Sequence, residues 1–208
     1  VSVRIAELSS TSGVPVPTIK YYLREGLLPS GEPTGRNQAV YGEEHLRRLK
    51  LVRALVEVGG LSIAVVGEIV ATLDASAEVT HHVLGVVQRS IAPVTPPVDD
   101  RDADAEVAAF LARRGWAHMA RDPSVLALVG VVATANRLGH HRFADLLDGY
   151  AEANVAIARR DLDYLVLNSK PDEVVEDMVV ATVLGDAALK ALRRLAQREA
   201  SAGLLAEE

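Results

Sequence analysis

Residues 5–29, IAELSSTSGVPVPTIKYYLREGLLP, decide the fold of the first part of this chain. Ile5 and Leu8, with Val14 beyond the turn, supply apolar anchors, and Ser9, Ser10, Thr11 and Ser12 lead into Gly13. Glycine takes positive φ at no steric cost, so Gly13 can close one helix and reverse the chain. Pro17 suits the first turn of a second helix, where a missing N–H costs nothing. In that helix Ile19, Leu23 and Leu27 can face inward, while Thr18, Lys20, Tyr21, Tyr22 and Arg24 offer donors and positive charge. Two short helices joined by a tight corner are how a second helix is presented to a DNA groove. Alone, the same pattern also describes an ordinary helical hairpin with a solvated basic face.

The downstream pattern narrows the reading. Gly26-Leu27-Leu28-Pro29 stops the helix, and residues 30–40, SGEPTGRNQAV, form a turn-rich, extended stretch closed by Tyr41 and Gly42. Glu43 and Glu44 then supply the acidic first turn that a helix dipole favours. Leu46, Leu49, Val52 and Val56 recur at helical spacing up to Gly59-Gly60. Ser62 can cap a further helix carrying Ile63, Val66, Ile69, Val70 and Leu73. Together these elements predict a winged helix-turn-helix domain over residues 1–74, with a small β-wing.

The same residues resemble the MerR family of bacterial transcription regulators. The likeness lies in IAELSSTSGV, TIKYYLREGLLP, the wing ending at Tyr41, and EEHLRRLKLVRALVEVGGLSI, and covers about residues 2–73. Its most specific part is T-I-K-Y-Y-x-R-E-G-L-L-P. The resemblance implies that Lys20, Tyr21, Tyr22 and Arg24 lie on a recognition helix against bases and phosphates, with Thr18 at its start. The chemistry agrees, because Lys and Arg neutralise phosphate and Tyr hydroxyls donate to it. Two positions depart from the family's pattern. Pro17 stands where members often carry a basic residue, and Gln38, Ala39 and Val40 precede Tyr41 where another basic residue is usual. Arg36 is then the wing's only cation, so Arg36, Asn37 and Gln38, with Tyr41 behind them, are the expected wing contacts.

The formal net charge of −6 looks unfavourable for a DNA binder until it is divided. Residues 1–73 hold eight Lys/Arg and seven Asp/Glu, whereas the remainder holds fourteen and twenty-one. Acidity therefore sits in the other part, and a local basic face governs phosphate contact within a Debye length of about 8 Å. The absence of cysteine excludes a disulfide framework and thiolate metal chemistry, and with it the cysteine-based sensing known in some MerR relatives. A hydrophobic share of 49% is ample for a core. No signal-peptide pattern opens the sequence. The longest apolar run, residues 125–135, is too short for a bilayer core of about 30 Å. A cytoplasmic protein without a membrane partner is expected.

Residues 75–106 read as a short helix, 79–91, followed by a Pro/Asp-rich linker. Many MerR relatives place a long antiparallel coiled coil here; Pro93 cuts this candidate after three or four turns, so no such seam is expected at that place. Residues 107–208 read as an all-helical dimerisation and effector domain. Helices are predicted over 104–116, 123–138 with Asp122 as cap, 142–167, 171–184 and 186–202. The last two are apolar on more than one face, and a helix of that kind needs burial on two sides. A second subunit supplies the second side through Val179, Val180, Val183, Leu184, Leu189 and Leu192; a deep helix within the same chain is the alternative. The layout is analogous to the C-terminal domain of TetR-type regulators. Phe110, Trp116, Tyr150 and Tyr164 are the candidate lining of a small-molecule pocket.

Other chemistries find little support. Asp100-x-Asp102-x-Asp104 lacks the glycine and closing glutamate of a calcium loop. Glu78-x-x-His81 has no matching half, and His81-His82 and His140-His141 point about 100° apart on a helix. No phosphate-cradling loop or nucleophile elbow is present. The expectation is a non-enzymatic DNA-binding regulator without metal or cofactor. It is mainly all-α, with a winged domain followed by a helical bundle, and acts as a homodimer on an inverted-repeat promoter operator. RNA polymerase and a small organic effector are its further expected partners. An effector-independent repressor or architectural protein, and a winged-helix protein-interaction module, are the alternatives.

Overall fold

The computed structural model describes residues 2–35, 38–75, 85, 88–89, 91–92, 99–168 and 174–205. Its elements run β1 (Val3–Arg4), α1 (Ile5–Ser12), α2 (Val16–Arg24), β2 (Glu32–Gly35), β3 (Gln38–Tyr41), α3 (Glu43–Glu57) and α4 (Ile63–Ala75). Then come α5 (Arg101–Arg114), α6 (Pro123–Arg137), α7 (Leu146–Asn168) and α8 (Val174–Leu205), with 3₁₀ turns at Ala117–Met119 and Phe143–Asp145. The expected linker helix, 79–91, and the proline run after it lie largely outside the described residues. The chain divides into two compact units, residues 1–84 with 171–208, and residues 85–170.

Local chemistry explains the corners of the first unit. Gly13 ends α1 at φ 69°, its N–H donating to the Ser9 carbonyl. The Ser9 hydroxyl donates to the Val14 carbonyl at 2.7 Å, and the Val14 N–H donates to Ser12 Oγ at 3.2 Å, tying the turn from both sides. At the far end of α2, Gly26 takes φ 73°. The Leu27 N–H reaches the Tyr22 carbonyl at 2.9 Å and the Gly26 N–H the Leu23 carbonyl, the paired bonds of a Schellman stop. Ser62 caps α4 through the Val65 N–H. The strands form one antiparallel sheet in the order β1-β3-β2, with Val3 opposite Tyr41 and Glu32 opposite Val40. Leu8, Ile19, Leu27, Leu49, Leu55, Val66 and Ile69 are fully buried in this unit.

The C-terminal helices differ from expectation in two ways. The helices predicted over 171–184 and 186–202 are a single helix, α8, that runs through Gly185. A glycine inside a helix keeps both backbone hydrogen-bonding groups and costs only about 1 kcal/mol relative to alanine, which Ala-rich flanks readily tolerate. That helix also does not stay with 107–170. It packs in the first unit, against α3. Arg47 grips Glu176 with two of its guanidinium nitrogens, Nε to Oε1 at 3.1 Å and Nη2 to Oε2 at 3.0 Å. Val179 and Val183 are buried. A Cβ built on Gly59 would overlap Val183 Cγ1 and stand 2.6 Å from the Leu55 carbonyl oxygen, so glycine admits the close approach. Gly59→Ala is therefore expected to cost about 1–3 kcal/mol of overpacking in urea unfolding; an unshifted midpoint would mean α8 does not seat there in solution.

The second unit has its own core, in which Val107, Phe110 and Leu111 of α5 meet Val125, Val129 and Val132 of α6 and Leu147 and Ala151 of α7. Asp100 caps α5 by accepting from the Ala103 N–H at 3.1 Å, and Asp122 caps α6 by accepting from the Ser124 N–H at 2.9 Å. Proline at the start of α6 needs no partner for a missing N–H. Among the described residues no helix is long and apolar enough to cross a membrane. Nor does any group of three His, Cys, Asp or Glu among them gather as metal ligands.

Candidate nucleic-acid interface

Helix α2 sorts its side chains by face. Pro17, Lys20, Tyr21 and Arg24 follow the i, i+3, i+4, i+7 spacing of one stripe. Lys20 and Arg24 are exposed, and Thr18 and Tyr21 are half-buried beside them. The Arg24 guanidinium lies 5.9 Å from the centre of the Tyr21 ring, a cation–π approach that holds the charge over a flat aromatic support. Arg24 also sits in the last turn of α2, where the helix dipole favours a cation.

Tyr22 belongs to the opposite face. It shares the i, i+3 stripe of Ile19, is only 7% exposed, and tilts against Tyr21 at 6.0 Å. Burial, and after it the Glu57 carboxylate, raises its phenol above the ordinary 10.0, so it is neutral at physiological pH. The structure thus places Tyr22 as an inner support of α2, not beside Lys20 and Arg24. Tyr41 is likewise inside at 7% exposure, its ring edge-on to His45 at 5.2 Å and 85°. Gln38, at the start of β3, is exposed. Arg36 and Asn37 lie outside the described residues.

Two further residues that sequence reasoning does not single out pack against the elements of this candidate site. His45, the third residue of α3, accepts the Gly42 N–H on Nδ1 at 3.1 Å and closes the base of the wing. Its spacing from Gly42 matches the third position of a capping box, which is the signal that could have found it. Arg53 on α3 brings a guanidinium nitrogen within 3.2 Å of where a Gly13 side chain would begin, and pairs with Glu57 at 2.7 Å. No local pattern announces that approach.

The four residues expected around a ligand pocket differ in their surroundings. Phe110 and Trp116 pack edge-to-face at 6.1 Å in the second core, whereas Tyr150 and Tyr164 are exposed, Tyr164 by 60%. An open cleft of about 540 Å³ in that unit is lined instead by Asp100, Asp102, Ala105, Glu106, Asn136, Arg137 and His141. Of the residues expected at a dimer seam, Val179 and Val183 are covered by their own chain. Val180, Leu184 and Leu189 are partly buried, and Leu192 is 58% exposed.

Comparison with known proteins agrees with the winged architecture. Residues 3–73 match the profile of MerR HTH family regulatory proteins. The chain is 38% identical over 56 residues to the mercuric resistance operon regulatory protein of Bacillus cereus, covering 27% of this chain and 42% of that protein. It is 41% identical over 49 residues to the HTH-type transcriptional regulator ZntR homolog of Haemophilus influenzae, covering 24% of this chain and 36% of that protein. The chain thus spans less than half the length of these curated relatives. The crystal structure of the proposed transcriptional regulator SCO5550 from Streptomyces coelicolor A3(2) is similar throughout, at 38% identity and a TM-score of 0.70 over 96% of both chains. Residues 3–73 therefore form a MerR-family HTH domain, and the chain as a whole is similar to a solved transcriptional regulator.

Proposed function

We propose that this chain works as a homodimer on an inverted-repeat promoter operator, with the Lys20–Tyr21–Arg24 face of α2 in the major groove of each half-site. The observation that carries the reading is the segregation of α2 into an exposed cationic stripe and a buried apolar one. Thr18 flanks that stripe, and Arg36, Asn37 and Gln38 on the wing reach the adjoining backbone or minor groove. Tyr22 and Tyr41 support these contacts from inside. Two-fold symmetry in the protein requires two-fold symmetry in the site. Bending such a site costs about 1–6 kcal/mol, within reach of two recognition helices and two wings. RNA polymerase is the partner that would read the bend.

The unit of residues 85–170 is the proposed receiver of a small organic effector. It has a core of its own and an open cleft, and the chain offers no cysteine for thiolate chemistry. In vitro selection of bound duplexes followed by footprinting tests the operator reading. Two protected half-sites a whole number of helical turns apart, about 10 base pairs each, are expected. Selection of no common sequence would sink the DNA assignment, and one isolated half-site would sink the dimer. Release of the selected operator by an organic compound, alongside thermal stabilisation of the protein, tests the effector.

A further inference from the structure

We infer that His45 is the positioning residue of the wing, locking the pitch of β3 onto the first turn of α3. This rests on the DNA reading above for its purpose, though its geometry stands apart from it. His45 makes three relevant approaches. Nδ1 accepts the Gly42 N–H at 3.1 Å, while the His45 N–H donates to the Gly42 carbonyl at 3.1 Å, so Gly42 and His45 clasp reciprocally. The imidazole meets the Tyr41 ring edge-on at 5.2 Å. Tyr41 in turn covers Gly31, where a Cβ would lie 2.7 Å from its ring and 2.8 Å from the Val40 carbonyl oxygen. One histidine therefore joins the end of β3, the approach to β2 and the start of α3.

The choice of histidine is informative. Glutamine or glutamate at the third helical position can reach back to the N-cap N–H and complete the same cap. Because Nδ1 accepts a hydrogen bond, a neutral imidazole carries its hydrogen on Nε2, and that buried nitrogen finds no acceptor among the described residues. A buried donor left without an acceptor is unfavourable. The ring is thus kept at a cost a glutamine would avoid, and what glutamine lacks is the aromatic face against Tyr41.

The lever makes this matter. Gln38 stands three residues from Tyr41, about 10 Å along an extended strand. A tilt of about 10° at the anchor would move that end by about 2 Å, beyond the tolerance of a hydrogen bond. Holding Tyr41 therefore holds the wing's contacts.

Site-resolved amide exchange on the full chain, together with affinity for the selected operator, tests the assignment. In His45→Ala, exchange at Gly42 and residues 38–41 should rise about five- to tenfold, the worth of one hydrogen bond, while α1 and α2 keep their protection. Operator affinity should fall by a similar factor, and Gln38→Ala should add little on top, because both act through one contact. His45→Gln should restore protection at Gly42 while recovering only part of the affinity. Should His45→Ala unfold, His45→Phe keeps a ring against Tyr41 while removing the Nδ1 acceptor together with the unpartnered Nε2–H, so lost protection at Gly42 still reports the same bond. Unchanged exchange at 38–42, exchange that rises equally throughout α1 and α2, or an additive effect with Gln38→Ala would each overturn the assignment. A chain that selects no DNA yet shows the exchange pattern would retain the anchor and lose the operator reading instead.

Discussion

Reversing both exposed cations of α2, Lys20→Glu together with Arg24→Glu, is expected to weaken operator binding by about a hundredfold or more. Each cation's hold on a phosphate or base is worth about 1–3 kcal/mol, and the introduced carboxylates add repulsion. The salt dependence should change with the affinity, because each phosphate that is no longer neutralised lowers the logarithmic slope by about 0.9. Folding should be nearly untouched: both side chains are exposed, and substitutions of that kind usually stay within about 0.5 kcal/mol. Arg24→Lys separates charge from shape. It keeps the cation but loses the planar guanidinium over Tyr21, so its defect should lie between wild type and the double reversal. Fluorescence anisotropy across a salt series reads all three variants. A double reversal that binds within about threefold of wild type with the same slope would move the recognition face away from α2.

The corners of the first unit were legible because glycine and proline act locally. Gly13 and Gly26 take the left-handed conformation that their places in the pattern require, and Pro17 stands in the first turn of α2. The inward turn of Tyr22 was legible in principle, since it falls three residues after Ile19. The Lys-Tyr-Tyr-x-Arg cluster drew both tyrosines to the DNA face by composition, when helical periodicity divides them. Tyr41 is similar, because its expected role came from the family pattern and its packing on His45 depends on a cap that forms only when α3 starts at Glu43.

What the sequence could not convey is long-range. Arg47 and Glu176 are 129 residues apart, and neither is unusual for an exposed helix position. Their pairing, and the fit of Val183 over Gly59, exist only because α8 returns to the first unit after the second has been completed. The apolar pattern of this helix signalled burial, and Met178, Val179 and Val183 are buried. Periodicity states that a face must be covered and is silent about which surface covers it. In the same way, Gly185 resembled a stop because glycine often follows a helix, yet no proline follows it, and beyond the single Asp186 the alanines Ala187 and Ala188 carry the helix on.

The aromatic pair of the second unit offers the other large effect. Phe110 is 3% exposed and meets Trp116 edge-to-face inside a core of small aliphatic side chains. Phe110→Ala is expected to destabilise that unit by about 3–5 kcal/mol, combining the forfeited transfer free energy with a cavity that Val107, Val129 and Leu147 only partly refill. The edge-to-face pairing accounts for about 0.5–1.5 kcal/mol within that range. Against a domain stability of about 5–15 kcal/mol this is a large fraction. Trp116 is the chain's single tryptophan, so its fluorescence follows the second unit without contribution from another indole. Its denaturation midpoint should move sharply to lower urea, while the amide protection of α1 and α2 is retained. The measurement also decides between two roles for Phe110. A residue lining an open ligand pocket has solvent on one side and leaves no sealed cavity, so its truncation would cost less than about 1 kcal/mol and shift the Trp116 transition little. A small shift would therefore return Phe110 and Trp116 to the pocket wall, whereas a large one makes them the packed centre of the unit and leaves effector binding to the cleft bordered by Asp100, Glu106, Asn136 and Arg137.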